Sequence, residues 1–519
     1  MSLDINSLPN DVEELKKIII LENLKYQEEL RLQRLKESEH LDLIERLKIQ
    51  LFGRRTERWS QIEKDQGILF NEMESSLQED SPEPEEESLF TPVKSHTRKK
   101  TGRKPFPDYF PRITILHDIP ESEKICSCGH GLTRIGEESS EKLDIIPAKI
   151  QVEVHVRPKY ACKHCEGTSD ETLPVVKIAP VPNQIAEKSM LSSGFLAYTI
   201  TQKFADALPF YRQAGILQRS GVEISRSTLS NTAIQVFEKL SPMIEDVRRE
   251  LFKSKYLQID ETVLQVLNEE GKSNTSKSYM WVIRGSIREK PVILYHYESS
   301  RSAKFLEEWI GDFEGIIQTD GFESYDSLLK TKSKILHAGC WNHARRRFFE
   351  ILKIDSKNAQ AEWIVKEIRK LYAIESKAKE ANLNSEEHLR LRQSESKPIV
   401  NEIRSWMNKR IVEVAPKSSM GKALSYLAGQ WEKLLIFLDH PELQLDTSLV
   451  ENDIRPFVIG RKNWLFSGCP QGATASAGFY SLVQNAKVSG KDPYAFLRDL
   501  FKSWEKKPRS LSWTDLPQF

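Results

Sequence analysis

The sequence lacks an excess of charge of either sign, and it lacks any long apolar run. Its 76 Lys and Arg residues nearly cancel 75 Asp and Glu residues, which leaves a formal net charge of +1. The overall composition therefore gives no indication of a nucleic-acid-binding protein. No stretch approaches the roughly 18 apolar residues that a membrane span requires, and the polar N-terminus is not typical of a signal peptide. These absences predict a cytoplasmic protein that is not bound to a membrane.

Cysteine is scarce, with six residues in the chain. In a cytoplasmic protein the thiols should be reduced, so paired cysteines indicate metal ligation more than disulfides. Residues 112–180 are predicted to be β-rich, with an alternating, extended run at Ile150–Val156. Two pairs flank this run and suit one tetrahedral Zn²⁺: Cys126, Cys128, Cys162 and Cys165. The first pair is CxC where CxxC is usual, so His130 or His164 can replace one thiolate, and the alternative is a metal-free remnant of a zinc finger.

Glycine and proline are absent from residues 11–52, which are rich in Leu, Ile, Glu, Lys and Arg. Apolar residues at both ends fit one face of a helix: Val12, Leu15 and Ile19, then Ile44, Leu47 and Leu51. The segment is therefore predicted to be a long amphipathic helix. Its middle does not keep strict heptads, so two interpretations remain, a coiled-coil dimer or a helix packed on its own chain.

The nearly balanced charge of the whole chain hides one acidic and one basic run, which lie in a linker without periodic apolar residues. Residues 79–87 hold six acids and no base, whereas residues 94–104 hold six Lys and Arg and no acid. The segment Thr101–Pro105 can lie in a DNA minor groove, as short basic arms do, or it can be a solvated linker. The DNA-binding candidates in this run are Arg98, Lys99, Lys100, Arg103 and Lys104.

Residues 184–247 are predicted to be helical, and Gly221–Asn231 has the pattern of a helix-turn-helix. Ser225 is placed to cap a helix that carries Arg226 on its outer face. Many helical hairpins share this pattern, so a hairpin with no role in reading DNA is the alternative.

The segment 255–350 has the clearest strand pattern. Three β runs, Lys255–Leu267, Ser278–Ser286 and Pro291–Tyr297, are followed by alternating helices and strands. The order β-β-β-α-β-α-β-α predicts a meander followed by α/β alternation, which is the order of a ribonuclease-H-like fold. In this topology the first strand lies beside the fourth.

Two acids fall on those two strands. Asp260 lies inside the first β run, where an unpaired buried carboxylate would be costly, and Asp320 follows the fourth strand, Gly315–Thr319. Neighbouring carboxylates can share two divalent cations, Mg²⁺ or Mn²⁺. The alternative is a surface strand with Asp260 facing water.

A third acid is expected from a later helix, beyond a charged helical stretch at 356–440. Glu451 and Arg455 are four residues apart and share one helical face. The alternatives for the third ligand are Asp446, Asp453 and Glu261. Basic residues predicted to hold phosphates are Arg345, Arg346, Arg455, Arg461 and Lys462.

An HxxCxxH motif is formed by His337, Cys340 and His343. Positions i, i+3 and i+6 of a helix do not converge well on one metal ion, and His337 is expected to lie on a strand. A packing or phosphate-contact role is therefore favoured over a metal site.

A chain of 519 residues exceeds what one compact core accommodates, so several domains are expected. The patterns predict a multidomain protein in which an α/β ribonuclease-H-like core follows smaller modules. The predicted segments are a long helix at 1–60, an acidic then basic linker at 61–110, a zinc-finger-like domain at 111–182, a helical region at 183–250, the first part of the core at 251–355, a helical insertion at 356–440, and the second part of the core at 441–519.

Over nearly its whole length the sequence resembles transposases of the insertion sequence 66 (IS66) family. The matching stretches are specific when taken together: Leu51–Arg58 (LFGRRTER), Gly102–Pro111 (GRKPFPDYFP), His155–Cys162 (HVRPKYAC), Gln258–Glu261 (QIDE), Gln318–Tyr325 (QTDGFESY), Gly339–Phe348 (GCWNHARRRF) and Glu451–Phe466. The catalytic acids of that family are a D, D, E set, which falls on Asp260, Asp320 and Glu451. The CxC pair departs from the CxxC that is usual in the family.

The resemblance implies a bacterial enzyme of DNA transposition and recombination, acting near the nucleoid. A metal-activated water would cut a phosphodiester at the end of the transposable element, and the freed 3′-hydroxyl would attack target DNA. The implied partners are terminal inverted repeats, target DNA, further copies of the chain and accessory proteins of the same element. The alternatives are a stand-alone nuclease and a DNA-binding repressor with an inactive core, although the presence of all three acids argues against the latter.

Overall fold

The computed structural model describes residues 11–52, 112–115, 127, 130, 142, 149–161, 176–321, 325 and 334–519. The chain divides into two compact units, one formed by 1–74 with 158–519 and the other by 75–157. The predicted zinc ligands Cys126, Cys128, Cys162 and Cys165 and the basic run at 94–104 lie outside the described residues. None of the helices in the described ranges combines the length and the apolar character that crossing a membrane requires.

The predicted N-terminal helix is confirmed as α1, Val12–Phe52. It contacts its own chain: Arg31 donates to the carbonyl of Val412 at 2.9 Å, Glu39 accepts from the amide of Lys417 at 3.3 Å, and the helix also touches the helix Trp341–Ile354. Large apolar side chains on the rest of its surface remain more than half exposed to solvent: Ile19, Ile20, Leu21, Leu24 and Tyr26. Packing on its own chain is thus observed, and the coiled-coil dimer stays a prediction.

The predicted β-rich region contains one small sheet among its described residues. Strands β1, Lys159–Ala161, and β2, Val176–Ile178, pair antiparallel. The prediction of a strand at Ile150–Val156 is wrong, because these residues have no regular secondary structure and their valines are exposed. Alternation of apolar residues indicates a strand only where a neighbouring strand is available to pair with it.

The prediction that residues 184–247 are helical is confirmed by α2, Ser193–Phe204, α3, Phe210–Arg219, and α4, Arg226–Leu251. The predicted cap is confirmed, since Ser225 accepts from the amide of Thr228 at 3.0 Å. Arg226 is exposed at the first turn of α4, while most of the helix packs in the core.

The main sheet has five strands in the order β5-β4-β3-β6-β7. Their bounds are Tyr256–Gln265 for β3, Lys277–Ile287 for β4, Lys290–Glu298 for β5, Gly315–Gln318 for β6 and Ile335–Ala338 for β7. The first three form an antiparallel meander, and β6 and β7 continue the sheet in parallel with β3. The predicted meander, and the predicted position of the fourth strand beside the first, are both confirmed.

Helices cover this sheet and complete its core: α5, Ala303–Ile310, α6, Trp341–Ile354, α11, Ser448–Trp464, α12, Pro470–Val488, and α13, Pro493–Lys506. Helix α12 lies against β5, where Asn485 bonds both the amide and the carbonyl of Ile293. Gly478 permits a close approach of the same helix to α4, which contains Phe237. An added Cβ at Gly478 would lie 1.8 Å from the ring of Phe237.

Residues 359–438 form the predicted helical stretch. They comprise α7, Ala359–Glu380, α8, Ser385–Leu391, a π-helical turn at Arg392–Ser396, α9, Lys397–Ile411, α10, Ser419–Leu435, and a 3₁₀ turn at Ile436–Leu438. A second hydrophobic core joins most of these helices to α6. The fully buried Arg392 binds the Glu375 carboxylate and the carbonyls of Phe437, His440 and Leu443. All five guanidinium N–H groups are thereby used, and the chain leading towards α11 is fixed.

Candidate active site

Strands β3 and β6 bring the first two candidate acids to one place. Gln258 and Gln318 are partners in the parallel register, and each is followed two residues later by an aspartate. Side chains two residues apart point to the same face of a strand, so Asp260 lies on the face of Gln258. The negative charges of Asp320 and Glu451 both act on Asp260, which indicates that the three acids lie close together.

A buried amide network holds the backbone around these acids. Gln258 donates to the Gln318 side chain at 2.9 Å and to the carbonyl of Asp446 at 2.8 Å. Gln318 in turn donates to the carbonyls of Gly339 at 3.0 Å and Gln444 at 2.9 Å. Two strands, the segment after β7 and the segment before α11 are therefore joined through two side chains.

The same network sets the position of the third acid. The amide of Val450 donates to Gln258 Oε1 at 3.3 Å, and Glu451 is the next residue, in the first turn of α11. Thr447 also donates to Glu451 Oε1 at 3.3 Å. Carboxylates are favoured in a first helical turn because the helix dipole is positive there.

Burial and mutual repulsion both oppose ionisation of the acids in this cluster. The pKa of Asp260 is raised to about 8, first by burial and then by the charges of Glu261, Asp320 and Glu451. A cation bound among these groups would remove that penalty. Carboxylate oxygens are ligands that hard divalent cations prefer, so the donor set suits Mg²⁺ or Mn²⁺.

The alternative third ligands are each held by another group. The carboxylate of Asp446 accepts from Tyr372 at 2.8 Å and from the amide of Ser448 at 3.0 Å. Asp453 forms a buried ion pair with Arg284, and Glu261 is bound by Arg301 and Tyr325. Burial raises the pKa of Asp453 to about 6 despite its arginine partner. These contacts leave Glu451 as the best candidate of the four.

Two residues near Glu451 were not anticipated as part of the site. His343 Nδ1 lies 3.7 Å from Glu451 Oε1, and one ligand atom each of Cys340, His343 and Glu451 lies within 4.8 Å of the others. Burial lowers the pKa of His343, while the charge of Glu451 opposes that shift. The third motif residue, His337, lies on β7 and contacts Thr319 Oγ1 at 2.8 Å. The HxxCxxH spacing in the sequence drew attention to Cys340 and His343 as metal ligands, but it gave no information about the distant Glu451.

The predicted phosphate contacts occupy different environments. Arg346 is half exposed and lies 3.8 Å from Glu451, while Arg455 and Lys462 are exposed on α11. Arg461 bonds the hydroxyl of Thr262 and the carbonyl of Val263 and so joins α11 to β3.

The placement of Arg345 contradicts its prediction as a DNA-binding residue. Only 3% of Arg345 is exposed, and its guanidinium lies over the ring of Phe349 beneath helix α7. Burial lowers its pKa to about 10, and the charge of Tyr372 on α7 opposes that shift. A DNA phosphate therefore has no access to this side chain in the structure.

Comparisons with known proteins agree with this architecture. A family model described as "Transposase IS66 family" matches residues 188–475, "zinc-finger binding domain of transposase IS66" matches 123–166, and "Transposase C of IS166 homeodomain" matches 41–115. The 123–166 match contains all four predicted zinc ligands, and it supports a zinc-finger domain there.

Proteins of similar length resemble the chain almost throughout. "Uncharacterized protein y4jD" of Sinorhizobium fredii (strain NBRC 101917 / NGR234) is 29% identical over 97% of this chain and 94% of its own length. "Uncharacterized protein y4qI" of the same organism is 30% identical over 86% of this chain and 82% of its own length. The main family match covers more than half of the 519 residues. The chain therefore belongs to the IS66 transposase family.

Proposed function

We propose that this transposase cuts DNA at the ends of its element and joins the cut strands to target DNA, with Asp260, Asp320 and Glu451 as ligands of two divalent cations. The observation that carries the proposal is the convergence of these three acids through the Gln258–Gln318 network. The sheet order, with a meander followed by two parallel strands, supports a ribonuclease-H-like core.

The residues present fit such a metal centre. The donor set is made of carboxylates, and the pKa of Asp260 is raised by burial and then by repulsion from neighbouring carboxylates, which bound cations would offset. Bound Mg²⁺ or Mn²⁺ ions would supply a water of lowered pKa and would neutralise charge on the leaving oxygen. Glu261, tied to Arg301 and Tyr325, fixes the strand beside Asp260 and is not proposed as a ligand.

Cationic side chains around the acids support the binding of a DNA backbone. Arg346 of α6 and Arg455 and Lys462 of α11 are the proposed phosphate contacts, and both helices begin beside Glu451. An Arg side chain can bind a phosphate through two N–H groups at once, which would orient the strand for hydrolysis and transfer.

Recognition of the element ends is assigned to the other modules. Arg226, at the exposed start of α4, and the basic run at 94–104 are the proposed contacts to terminal inverted repeats. Strand transfer requires two ends to be held together, so a homo-oligomer through α1 is proposed, with accessory proteins of the same element as further partners.

A strand-transfer assay on element-end DNA with Mg²⁺ tests this function. The proposal expects cleavage at the end followed by covalent joining to a target duplex. A stand-alone nuclease would cut without joining and would not prefer end DNA, whereas a repressor would bind the ends without cutting either strand. Either result would contradict the proposed function.

A further inference from the structure

The corner of the site around Glu451 contains donors of a different kind from the other two acids. Cys340 is the N-cap residue of α6, His343 is in its first turn, and Glu451 is in the first turn of α11. Their ligand atoms, one per residue, all lie within 4.8 Å of one another. Ligands of a tetrahedral zinc ion lie about 3.3–3.8 Å apart, since each bond is about 2.0–2.3 Å long. Side-chain shifts of about 1 Å would therefore bring the three ligand atoms to the spacing of zinc ligands.

Thr447 lies beside the thiol of Cys340. The amide of Thr447 donates to Cys340 Sγ at 3.4 Å, and its hydroxyl, which has one hydrogen to donate, lies 3.3 Å from both Cys340 Sγ and Glu451 Oε1. Thiolate and imidazole ligands suit Zn²⁺, whereas Mg²⁺ takes oxygen ligands.

The two oxygens of Glu451 have separate neighbours. Oε1 faces His343 at 3.7 Å, and Oε2 faces Arg346 at 3.8 Å. Oε1 is thus available as a ligand while Arg346 stays beside Oε2. The side chains of His343 and Glu451 are 23% and 21% exposed, whereas Cys340 is buried, so the three residues lie at the boundary between the core and solvent.

We infer that Cys340, His343 and Glu451 form a three-ligand site for a thiophilic divalent cation of the zinc type, separate from the zinc finger. Occupancy of this site engages Glu451, one of the acids of the proposed catalytic set. Zinc bound there would withdraw Glu451 from the catalytic ions and inhibit Mg²⁺-dependent cleavage. The inhibition rests on the proposed function, whereas the binding does not.

Zinc stoichiometry of the full chain tests the binding. After equilibration with buffered Zn²⁺ and removal of free metal, the wild-type chain should carry one more zinc than Cys340→Ser and His343→Gln. The zinc finger contributes equally to all of them. Cys469→Ser is the matched control, because Cys469 is the other free cysteine among the described residues. Circular dichroism verifies that each variant is folded, and equal zinc contents in all four proteins would overturn the site.

Cleavage assays in Mg²⁺ with added Zn²⁺ test the competition. Wild type and Cys469→Ser should lose activity at a zinc concentration at least tenfold below the one that inhibits Cys340→Ser. If the extra zinc binds but the three proteins are inhibited equally, the inference that zinc and the catalytic ions compete for Glu451 is wrong. A wild-type chain that binds the extra zinc but cleaves nothing in Mg²⁺ supports the zinc site and contradicts the proposed function.

Discussion

Gln258 donates a hydrogen bond to Gln318 across 2.9 Å, and each of these buried glutamines precedes a candidate catalytic aspartate by two residues. The pair is the point where β3, β6 and the start of α11 are held together, since Gln258 also accepts from the amide of Val450. The sequence motifs QID and QTD therefore contain both the acids and the groups that position them.

Removing this amide should destabilise the fold and weaken the metal site. Gln258→Leu removes the side-chain partner of the Asp446 carbonyl and of the Val450 amide, and each buried polar group left unpaired costs about 1–3 kcal/mol. Gln265→Leu is the control on the same strand, because Gln265 is exposed and makes one bond, to the Asn274 carbonyl. Denaturant unfolding should show a loss for Gln258→Leu and a change below about 0.5 kcal/mol for the control. Equal losses in the two variants would mean that the Gln258–Gln318 network adds no more to the free energy of unfolding than a surface glutamine does.

The buried Arg392 links the helical stretch to the segment that leads into α11. Arg392→Met should lower the free energy of unfolding by about 3–5 kcal/mol, because it leaves three carbonyls without their donor and Glu375 with His388 in place of a buried arginine. Arg390→Met is the matched control, since Arg390 is 70% exposed and pairs with Glu386 on the surface. Thermal unfolding compares the two variants, and similar midpoints would contradict the assignment.

Asp260 predicts a specific pH dependence in the metal-free chain. Folding raises the pKa of its carboxyl to about 8, so the folded state binds this proton more tightly than the unfolded state. The resulting penalty is absent below the unfolded pKa of about 4 and is complete above about pH 8. Asp260→Asn should therefore stabilise the chelated protein at about pH 8 and have little effect at about pH 4. Denaturant unfolding at both values measures this, and an effect that does not change with pH would refute it.

Helix α1 leaves apolar side chains exposed although it touches its own chain. If it pairs with a second copy, Leu24→Glu should weaken self-association without unfolding the monomer, because Leu24 is 64% exposed. Gln27→Glu adds the same charge at another exposed position and serves as the control. Sedimentation velocity reports the mass of each species. A Leu24→Glu chain that associates as strongly as the control would place the pairing surface elsewhere.

Local patterns predicted most of the sheet, because its strands are apolar runs and their order restricts which of them are neighbours. Asp260 and Asp320 could be paired for that reason. The contact of Cys340 and His343 with Glu451 could not be predicted, since it depends on how two helices more than 90 residues apart in sequence begin at one place. Arg345 was mistaken for a surface residue because a basic triplet on a helix does not reveal which side a later helix covers.

The amide variants Asp260→Asn, Asp320→Asn and Glu451→Gln test the central proposal most directly, because they keep the shape of each side chain and remove the charge that a hard cation needs. In the Mg²⁺-dependent strand-transfer assay each should lose cleavage while still binding end DNA, which depends on Arg and Lys side chains. Asp446→Asn is the control, because its contacts to Tyr372 and Ser448 can be kept by an amide. If Glu451→Gln cuts and joins DNA normally while Asp446→Asn does not, the third ligand is assigned to the wrong residue. If all four variants remain active, the two-metal account is contradicted.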